Sequence, residues 1–224
     1  MTGYYVEKLA AERLRACYEV APPRVMAYLE AEIGFVLERI SRSTLALELG
    51  CGYGRVLERL LPRARAVVGI DTSIASLRLA RSLESGGRRI QLAAMDAAGL
   101  GFGDRTFDLA LCIQNGVCAF AVDPLKLLSE AVRVTRPGGT VLFSSYAACF
   151  WPDRLEWFRA QAARGLIGEI DEAATRDGVI VCRDGFRART MGPEGFAALA
   201  ASLGLTATLT EVDGSSLFCE VVVP

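Results

Sequence analysis

The chain has 224 residues, of which 52% are hydrophobic and 23% charged, and its net charge at pH 7 is −1. These proportions are typical of a folded domain, and the length suits one substantial core. The small net charge gives no field that would attract nucleic acid or an anionic membrane. We therefore expect a single domain over residues 1–224, with neither nucleic acid nor membrane as a partner.

The residue types present also narrow the chemistry. The chain contains no histidine, so it lacks the commonest general base and every Ser-His-Asp or Cys-His arrangement. Its seven cysteines are scattered without a C-x-x-C pair, which favours reduced core thiols and no metal site. No apolar run is long enough to span a bilayer, and residues 1–8 do not resemble a secretory signal, so we expect a cytoplasmic protein.

The first 43 residues predict a helical cap. Two helices are expected over residues 5–20 and 24–40, separated by Ala21-Pro22-Pro23, because proline ends a helix. The pair is expected either to close over a ligand as a lid or simply to pack on the domain. Its tyrosines Tyr5 and Tyr18 are candidate catalytic residues, although packing with wet hydroxyls would explain them equally well.

From Leu45 onward strands and helices alternate, which is typical of a parallel sheet with helices on both faces. Short apolar runs predict five strands, over residues 45–49, 66–70, 90–94, 107–113 and 140–145. Helical periodicity predicts the intervening helices over residues 55–61, 73–83 and 124–134.

Residues 147–191 interrupt this alternation. They predict a helix over 150–164 and a hairpin over 179–190 around Asp184-Gly185, a dipeptide suited to a two-residue turn. That turn places Cys182 opposite Arg187 and Ile180 opposite Arg189. A helix over 193–203 and an antiparallel pair of strands, 206–212 and 217–222, complete the predicted fold.

A glycine turn follows the first strand. The strand carries Glu48 and runs into Gly50-Cys51-Gly52-Tyr53-Gly54, directly before a predicted helix. Glycine lets the backbone turn tightly and approach a ligand closely. Asp71 and Asp96 follow the next two strands, and the carboxyl ends of parallel strands meet at one edge of a sheet. The sequence therefore predicts a nucleoside-type ligand at this edge.

Five segments in order resemble motifs of the class I S-adenosylmethionine-dependent methyltransferases: residues 48–55, 68–73, 95–97, 107–111 and 136–142. The resemblance extends from about Thr44 to the C-terminus. It implies a doubly wound, seven-stranded, mostly parallel α/β sheet of strand order 3-2-1-4-5-7-6. It also implies methyl transfer from S-adenosyl-L-methionine to a small molecule, with S-adenosyl-L-homocysteine as the product.

The resemblance further implies which residues surround the cofactor. Glu48 reaches its ammonium, Asp71 its ribose hydroxyls and Asp96 its adenine amino group, although both aspartates would also suit capping roles. The other implied cofactor residues are Gly50, Cys51, Gly52, Gly54, Thr72, Met95, Ala97, Gln114 and Asn115. Gln114 and Asn115 leave strand four at the switch point, face the acceptor and are also catalytic candidates. Asp108, at the far end of that strand, is expected to be structural.

The inserted segment 147–191 is expected to cover the acceptor side. The substrate candidates are Tyr146, Trp151, Arg187 and Arg189, a mixture that suits a small, partly apolar acceptor bearing a carboxylate. Alternatively, the two arginines lie on a solvated face. The absence of an Asn/Asp-Pro-Pro-Tyr segment after strand four argues against base methylation. A monomer and a homodimer both fit the sequence.

Other functions remain open from sequence. Dinucleotide oxidoreductases share the Gly-x-Gly turn but have a third glycine at position 55, where this chain has arginine. A metalloid or thiol methyltransferase would need Cys51, Cys149 and Cys182 to meet in one cleft. A non-catalytic nucleoside-binding protein fits the lack of a clear acid–base pair. Methyl transfer tolerates that lack, because holding the reactants in line supplies much of the acceleration.

Overall fold

The computed structural model describes residues 4–82, 84–85 and 88–224. Its helices are α1 Tyr4–Lys8, α2 Glu12–Glu19, α3 Pro23–Leu37, α4 Arg55–Leu60, α5 Ile74–Ala80, α6 Gly116–Ala119, α7 Pro124–Val134, α8 Trp151–Ala163 and α9 Pro193–Ala201. Residues 1–3 of the predicted cap and residue 83, the predicted end of a helix, lie outside the described residues. No helix in the described part of the chain is both long and apolar enough to cross a membrane.

The strands form one large sheet and two short pairs. They are β1 Leu45–Leu49, β2 Ala66–Asp71, β3 Glu84–Ser85, β4 Arg88–Arg89, β5 Gln91–Ala94, β6 Phe107–Cys112, β7 Thr135–Tyr146, β8 Ile180–Val181, β9 Arg187–Ala188, β10 Thr208–Val212 and β11 Ser216–Val222. The large sheet has the order β10-β11-β7-β6-β1-β2-β5, with β11 antiparallel to both of its neighbours. Numbered within that sheet alone, the order is 3-2-1-4-5-7-6. The predicted fold class is confirmed.

Helices pack on both faces of this sheet because successive strand residues point to opposite sides. In β1, Leu47 and Leu49 join a buried cluster with Leu127 of α7 and Phe196 of α9. Ala46 points the other way, into a cluster with residues of α3, α4 and α5. Helices therefore cover both faces of the sheet, but not the edge formed by the carboxyl ends of its strands.

A third buried cluster lies over that edge. Most of its residues belong to two segments, 4–21 and 147–191, which we call the cover; Val25, Tyr28 and Leu29 of α3 and Tyr146 of β7 complete it. The two segments hold each other, since the rings of Tyr4 and Phe186 lie 4.9 Å apart and Trp157 Nε1 donates to the Cys17 carbonyl at 2.8 Å. The insertion predicted after the fifth strand therefore packs against the N-terminal helices.

The N-terminal segment is two helices where one was predicted. α1 ends at Lys8 and α2 begins at Glu12, and Ala11 between them has φ 51°. Neither proline nor glycine marks this break. The Ala11 N–H donates to Ser76 Oγ of α5 at 2.9 Å, so a long-range contact holds it.

The predicted hairpin register is corrected by one residue. Ile180 pairs with Ala188 and Val181 with Arg187, while the Cys182 N–H donates to the Phe186 carbonyl at 2.9 Å. The loop thus has three residues, ending at Gly185 with φ 97°. Because side chains alternate along a strand, the shift places Phe186 and Ala188, in place of Arg187 and Arg189, on the same side as Cys182 and Ile180.

A two-residue turn does occur nearby, at Asp177-Gly178. Both residues have positive φ, 53° and 76°, and Arg176 and Val179 exchange two backbone hydrogen bonds across them. These features match the hairpin turn that Asp-Gly favours. Residues 147–191 contain two Asp-Gly pairs, and the two-residue turn expected at the second forms at the first.

Candidate functional site

A cavity of about 490 Å³ opens at the carboxyl edge of the central strands, beneath the cover. This volume is within the range of small-molecule sites. All the cofactor residues expected from sequence line it except Gly54: Glu48, Gly50, Cys51, Gly52, Asp71, Thr72, Met95, Asp96, Ala97, Gln114 and Asn115. Four separate segments of the chain therefore meet around one space.

The glycine turn forms one wall of this cavity. Gly50 has φ 72°, and a Cβ at that position would lie 2.1 Å from the Phe120 ring. Gly52 has φ 52°, and its N–H donates to Asp71 Oδ2 at 2.9 Å. Gly54 does not line the cavity; with φ 88° it is the left-handed residue from which α4 begins. The first two glycines shape the wall, and the third starts the helix.

Asp71 and Asp96 stand at the ends of neighbouring strands. Asp71 accepts from the backbone N–H groups of Gly52 and Ser73, at 2.9 and 2.7 Å. Asp96 is exposed and accepts from the Ala98 N–H at 2.8 Å. Each aspartate therefore organises its own turn, as the capping alternative expected, and also lines the cavity. A carboxylate oxygen accepts more than one hydrogen bond, so the two roles are compatible.

Glu48 is 5% exposed, and its Oε2 atom has no hydrogen-bond partner in the described structure. Burial raises the pKa of this carboxyl to about 8, against the opposing effect of the nearby Arg55 guanidinium. Arg55 itself lies 4.9 Å over the Tyr18 ring, with Nε and Nη2 buried and unpartnered. Arg55 also lines the cavity, although in the sequence it is distinguished only by standing where a dinucleotide-binding motif has its third glycine.

Gln114 and Asn115 form a left-handed turn after β6, with φ 57° and 62°. The Gln114 N–H donates to both Glu32 Oε2 and Ser144 Oγ at 2.8 Å. Asn115 Nδ2 donates to the Arg189 carbonyl at 2.9 Å, and its Oδ1 accepts from the Ser145 hydroxyl at 2.8 Å. Gln114 Nε2 is buried without a partner. Hydrogen bonds therefore hold Gln114 through its backbone and Asn115 through its side chain, and both residues line the cavity.

Tyr5 and Tyr18, the other catalytic candidates, both line the cavity. Burial raises the pKa of each phenol, so each keeps its proton at neutral pH. The Tyr18 hydroxyl donates to Gln114 Oε1 at 3.2 Å. Both are suited to donate hydrogen bonds and poorly suited to remove a proton.

The acceptor side differs from expectation. Of the four substrate candidates only Tyr146 lines the cavity; Trp151 does not, and Arg187 and Arg189 are exposed. Because of the one-residue shift in the hairpin, Phe186 and Ala188 line the cavity, whereas Arg187 and Arg189 are exposed. The cover residues that line the cavity are Tyr5, Leu9, Leu14, Cys17, Tyr18, Trp157, Phe158, Gln161, Phe186 and Ala188.

The cysteines named for metalloid chemistry do not share this cavity. Cys51 lines it, and burial raises the pKa of its thiol. Cys149 is exposed with Sγ 3.2 Å from the Gly214 carbonyl, and Cys182 is buried in the cover; neither is a lining residue. The described residues contain no group of three or more acidic or cysteine side chains arranged to hold a metal ion.

Asp108 lies at the opposite end of β6 from the cavity. Its carboxylate accepts from the Leu45 N–H at 2.6 Å and pairs with Arg136 at 2.7 Å. These contacts tie the starts of β1, β6 and β7 together, which is the structural role expected of it.

Residues 47–143 match the family model described as the methyltransferase domain. Over these residues the chain is similar to methyltransferases. The match favours this interpretation over the dinucleotide oxidoreductase. It includes the ends of β1, β2, β5 and β6 that line the cavity, and neither segment of the cover.

Two curated proteins that are similar to this chain are O-methyltransferases by name. A ubiquinone biosynthesis O-methyltransferase of Vibrio cholerae is 26% identical over 130 residues, 57% of this chain and 50% of that protein. A malonyl-[acyl-carrier protein] O-methyltransferase of a Marinomonas species is 32% identical over 137 residues, 55% of this chain and 48% of that one. The chain spans about half the length of the curated relatives it matches.

Solved structures share the fold of this chain over nearly its whole length. A SAM-dependent methyltransferase from Thermotoga maritima superposes with a TM-score of 0.66 over 99% of both chains, at 16% sequence identity. At that identity the similarity concerns the fold alone. The superposition extends over the cover as well as the sheet.

Proposed function

We propose that this chain transfers a methyl group from S-adenosyl-L-methionine to a small-molecule acceptor. The observation that supports it most is the convergence of Glu48, Asp71, Asp96 and the Gln114 turn on one cavity at the switch point of the sheet. Chain segments far apart in sequence supply these groups. Each group has hydrogen-bonding capacity that suits a different part of the cofactor.

The groups around the cavity fit this cofactor. The unpartnered Oε2 atom of Glu48 suits an ammonium. Asp71 uses each oxygen on one backbone N–H and can accept a ribose hydroxyl at each. Asp96, between Met95 and Ala97, would accept from the adenine amino group. Gly50 and Gly52 supply backbone where a side chain would collide.

The bound cofactor would supply a methyl group already activated by its sulfonium. What remains for the protein is to hold the acceptor in line with it and to exclude water. The left-handed turn at Gln114 would position the acceptor from the sheet side, and the aromatic cover would close the other side. Tyr5 and Tyr18 keep their protons, so they would orient the acceptor through donated hydrogen bonds.

We propose an acceptor that is small and partly aromatic or apolar. Tyr5, Tyr18, Tyr146, Trp157, Phe158 and Phe186 line its side of the cavity. Arg55 is the one cation among the described lining residues, so it replaces Arg187 and Arg189 as the group that would face an acceptor anion. The named relatives are O-methyltransferases, which makes oxygen our first choice of attacking atom. A cytoplasmic monomer or homodimer remains our expectation.

The test is to incubate the pure protein with methyl-labelled S-adenosylmethionine and a cell extract, then fractionate the label by size. We expect the label in the small-molecule fraction, where the product can be identified. Label on macromolecules would contradict the proposed acceptor class. Binding of the donor without any transfer would contradict catalysis and favour a nucleoside-binding function.

A further inference from the structure

Helix α3 buries a carboxylate on its apolar face. Glu32 is fully buried, on the same face as Tyr28, Leu29, Ile33 and Val36. A buried charge is costly unless hydrogen bonds or an opposite charge compensate it. No ion pair in the described part of the chain includes Glu32, so its hydrogen bonds carry the compensation.

Both oxygens of Glu32 are used at the edge of the sheet. Oε2 accepts from the Gln114 N–H at 2.8 Å, and Oε1 accepts from the Ser216 hydroxyl. The same Gln114 N–H also reaches Ser144 Oγ at 2.8 Å. A single carboxylate therefore connects α3 to residues at the ends of β6, β7 and β11.

The turn that Glu32 contacts adopts a conformation that its own residues disfavour. Gln114 and Asn115 both have positive φ without being glycine, and such residues persist only where their surroundings hold them. Here Glu32 and Ser144 hold the first residue through its backbone, and Ser145 holds the second through its side chain. Because Gln114, Asn115 and Gly116 line the cavity, the conformation of this turn sets the position of one wall.

We propose that Glu32 is a positioning residue for the methyl transfer proposed above: its carboxylate holds the Gln114 peptide in the left-handed conformation that shapes the cavity. Glu32 lies outside the residues matched by the family model, so the N-terminal cap contributes to the site through α3. The role rests on the proposed function, whereas the anchoring of the Gln114 peptide does not.

The anchor also changes charge near neutral pH. Burial raises the pKa of Glu32 to about 7, against hydrogen bonds from Ser216, Ser144 and Gln114 and the charge of Arg55. The other titratable groups that interact with it are the phenols of Tyr18, Tyr28 and Tyr146 and the Cys112 thiol, all with raised pKa. An ionised carboxylate is the stronger acceptor, so the Gln114 N–H is held more firmly as pH rises through this range.

The experiment compares Glu32→Leu, Glu32→Gln and, as a matched control, Glu30→Gln. Glu30 is on the same helix but half exposed, in an ion pair with Arg59. Amide hydrogen exchange of Gln114, corrected for the intrinsic pH dependence, reports the anchor without requiring activity. Titration with S-adenosylhomocysteine measures the affinity of the cavity for this ligand, and so detects a change in its shape. Both are measured on the full chain across neutral pH.

We expect Glu32→Leu to lower both Gln114 protection and S-adenosylhomocysteine affinity about tenfold, because a hydrogen bond to a charged group is lost. Amides of β1 should keep their protection. Glu32→Gln restores an acceptor, so it should retain protection while losing the pH dependence near 7. A Glu48→Gln variant should keep that dependence, and Glu30→Gln should match the wild type.

Unchanged Gln114 protection in Glu32→Leu would overturn the proposal, as would an equal loss of protection in β1, which would make Glu32 merely structural. If Glu32→Leu fails to fold, Glu32→Gln decides: a pH dependence identical to the wild type would overturn the proposal. If the wild type binds no S-adenosylhomocysteine while Gln114 exchange follows these expectations, the proposed function fails and the anchor stands.

Discussion

The floor and the cover of the cavity are built in different ways. The floor consists of strand ends and the glycine turn, where parallel backbone ladders fix each position, as between β1 and β2. The cover consists of residues 4–21 and 147–191, which meet through side chains. Backbone pairing places a residue by its register, whereas side-chain packing depends on partners far away in sequence. We therefore expect the floor to bind the cofactor and the cover to contact the acceptor.

Several hydrogen bonds join the two segments of the cover. Arg13 donates to the carbonyls of Leu166 and Gly165 at 2.8 and 2.5 Å, and Lys8 donates to the Asp184 carbonyl at 3.3 Å. Trp157, which lines the cavity, donates a hydrogen bond from Nε1 to the Cys17 carbonyl. Changes in the cover should therefore alter acceptor binding and leave cofactor binding intact, while changes in the floor should do the reverse.

The largest effect is expected from Gly50→Ala. The new Cβ would lie 2.1 Å from the Phe120 ring at a residue with φ 72°. Left-handed strain and overpacking together should weaken S-adenosylhomocysteine affinity about a hundredfold, measured by calorimetric titration. Gly99→Ala is the control, since a Cβ there meets nothing within 4 Å and should have no effect. Wild-type affinity in Gly50→Ala would show that the glycine turn is not a ligand surface.

Asp71→Asn comes next. It removes the charge that would accept the ribose hydroxyls, so the affinity for S-adenosylhomocysteine should fall about tenfold. Asp108→Asn makes the same change at the other end of the sheet, where it loosens Leu45 and Arg136. That control should lower the free energy of unfolding without changing affinity. Equal affinities in the two variants would contradict the assignment of Asp71.

The pH dependence of the free energy of unfolding tests whether the buried carboxyl of Glu48, in the floor, keeps its proton near neutral pH. The ordinary Glu pKa of 4.5 is raised to about 8 for Glu48 in the folded state. Between these values the folded protein binds more protons than the unfolded one, so the free energy of unfolding should fall as pH rises. Urea unfolding from about pH 5 to about pH 9 should show a shallower decline in Glu48→Gln than in the wild type. An identical decline in both would contradict a neutral buried Glu48.

A smaller effect is expected from Trp157→Phe in the cover. It removes the hydrogen bond to Cys17, worth about 1 kcal/mol of unfolding free energy, and enlarges the acceptor side. Once an acceptor is known, its KM should rise a few-fold while the affinity for S-adenosylhomocysteine stays constant. Trp151→Phe, at a residue that does not line the cavity, should leave both unchanged. If Trp157→Phe lowered the affinity for S-adenosylhomocysteine and left the acceptor KM unchanged, the distinction between floor and cover would be wrong.

The smallest effect is expected from replacing Arg187 and Arg189 together by glutamine. Both side chains are exposed and neither lines the cavity, so the KM for an acidic acceptor should be unchanged. Arg55→Gln should raise that KM instead. If only the variant with both Arg187 and Arg189 replaced had a raised KM, the hairpin arginines and not Arg55 would bind the carboxylate of the acceptor.

The contrast between floor and cover also explains what the sequence could predict. The sheet order follows from the family resemblance of the motifs, and the strands and the meeting of Asp71 with the glycine turn follow from strand periodicity and motif order, which are local signals. The hairpin register does not. Asp184 accepts from the Tyr4 hydroxyl and packs so closely on Gly168 that a Cβ there would lie 2.3 Å from its side chain. Those long-range contacts select the three-residue loop, and no local pattern encodes them.

Glu32 illustrates a signal that was visible but not interpretable. A carboxylate among Val25, Leu29, Ile33 and Val36 is out of place on an apolar helical face, and the sequence shows this directly. Its partner Gln114 lies 82 residues away, so its role emerges only once α3 and the end of β6 are brought together.

The central claim is that the floor binds the methyl donor, and calorimetric titration of the pure protein with S-adenosylhomocysteine tests it most directly. We predict one binding site per chain, weakened by Asp71→Asn and by Gly50→Ala, insensitive to the Arg187 and Arg189 pair, and no binding of a nicotinamide dinucleotide. Absence of binding, or equal binding by the wild type and both floor variants, would contradict the claim.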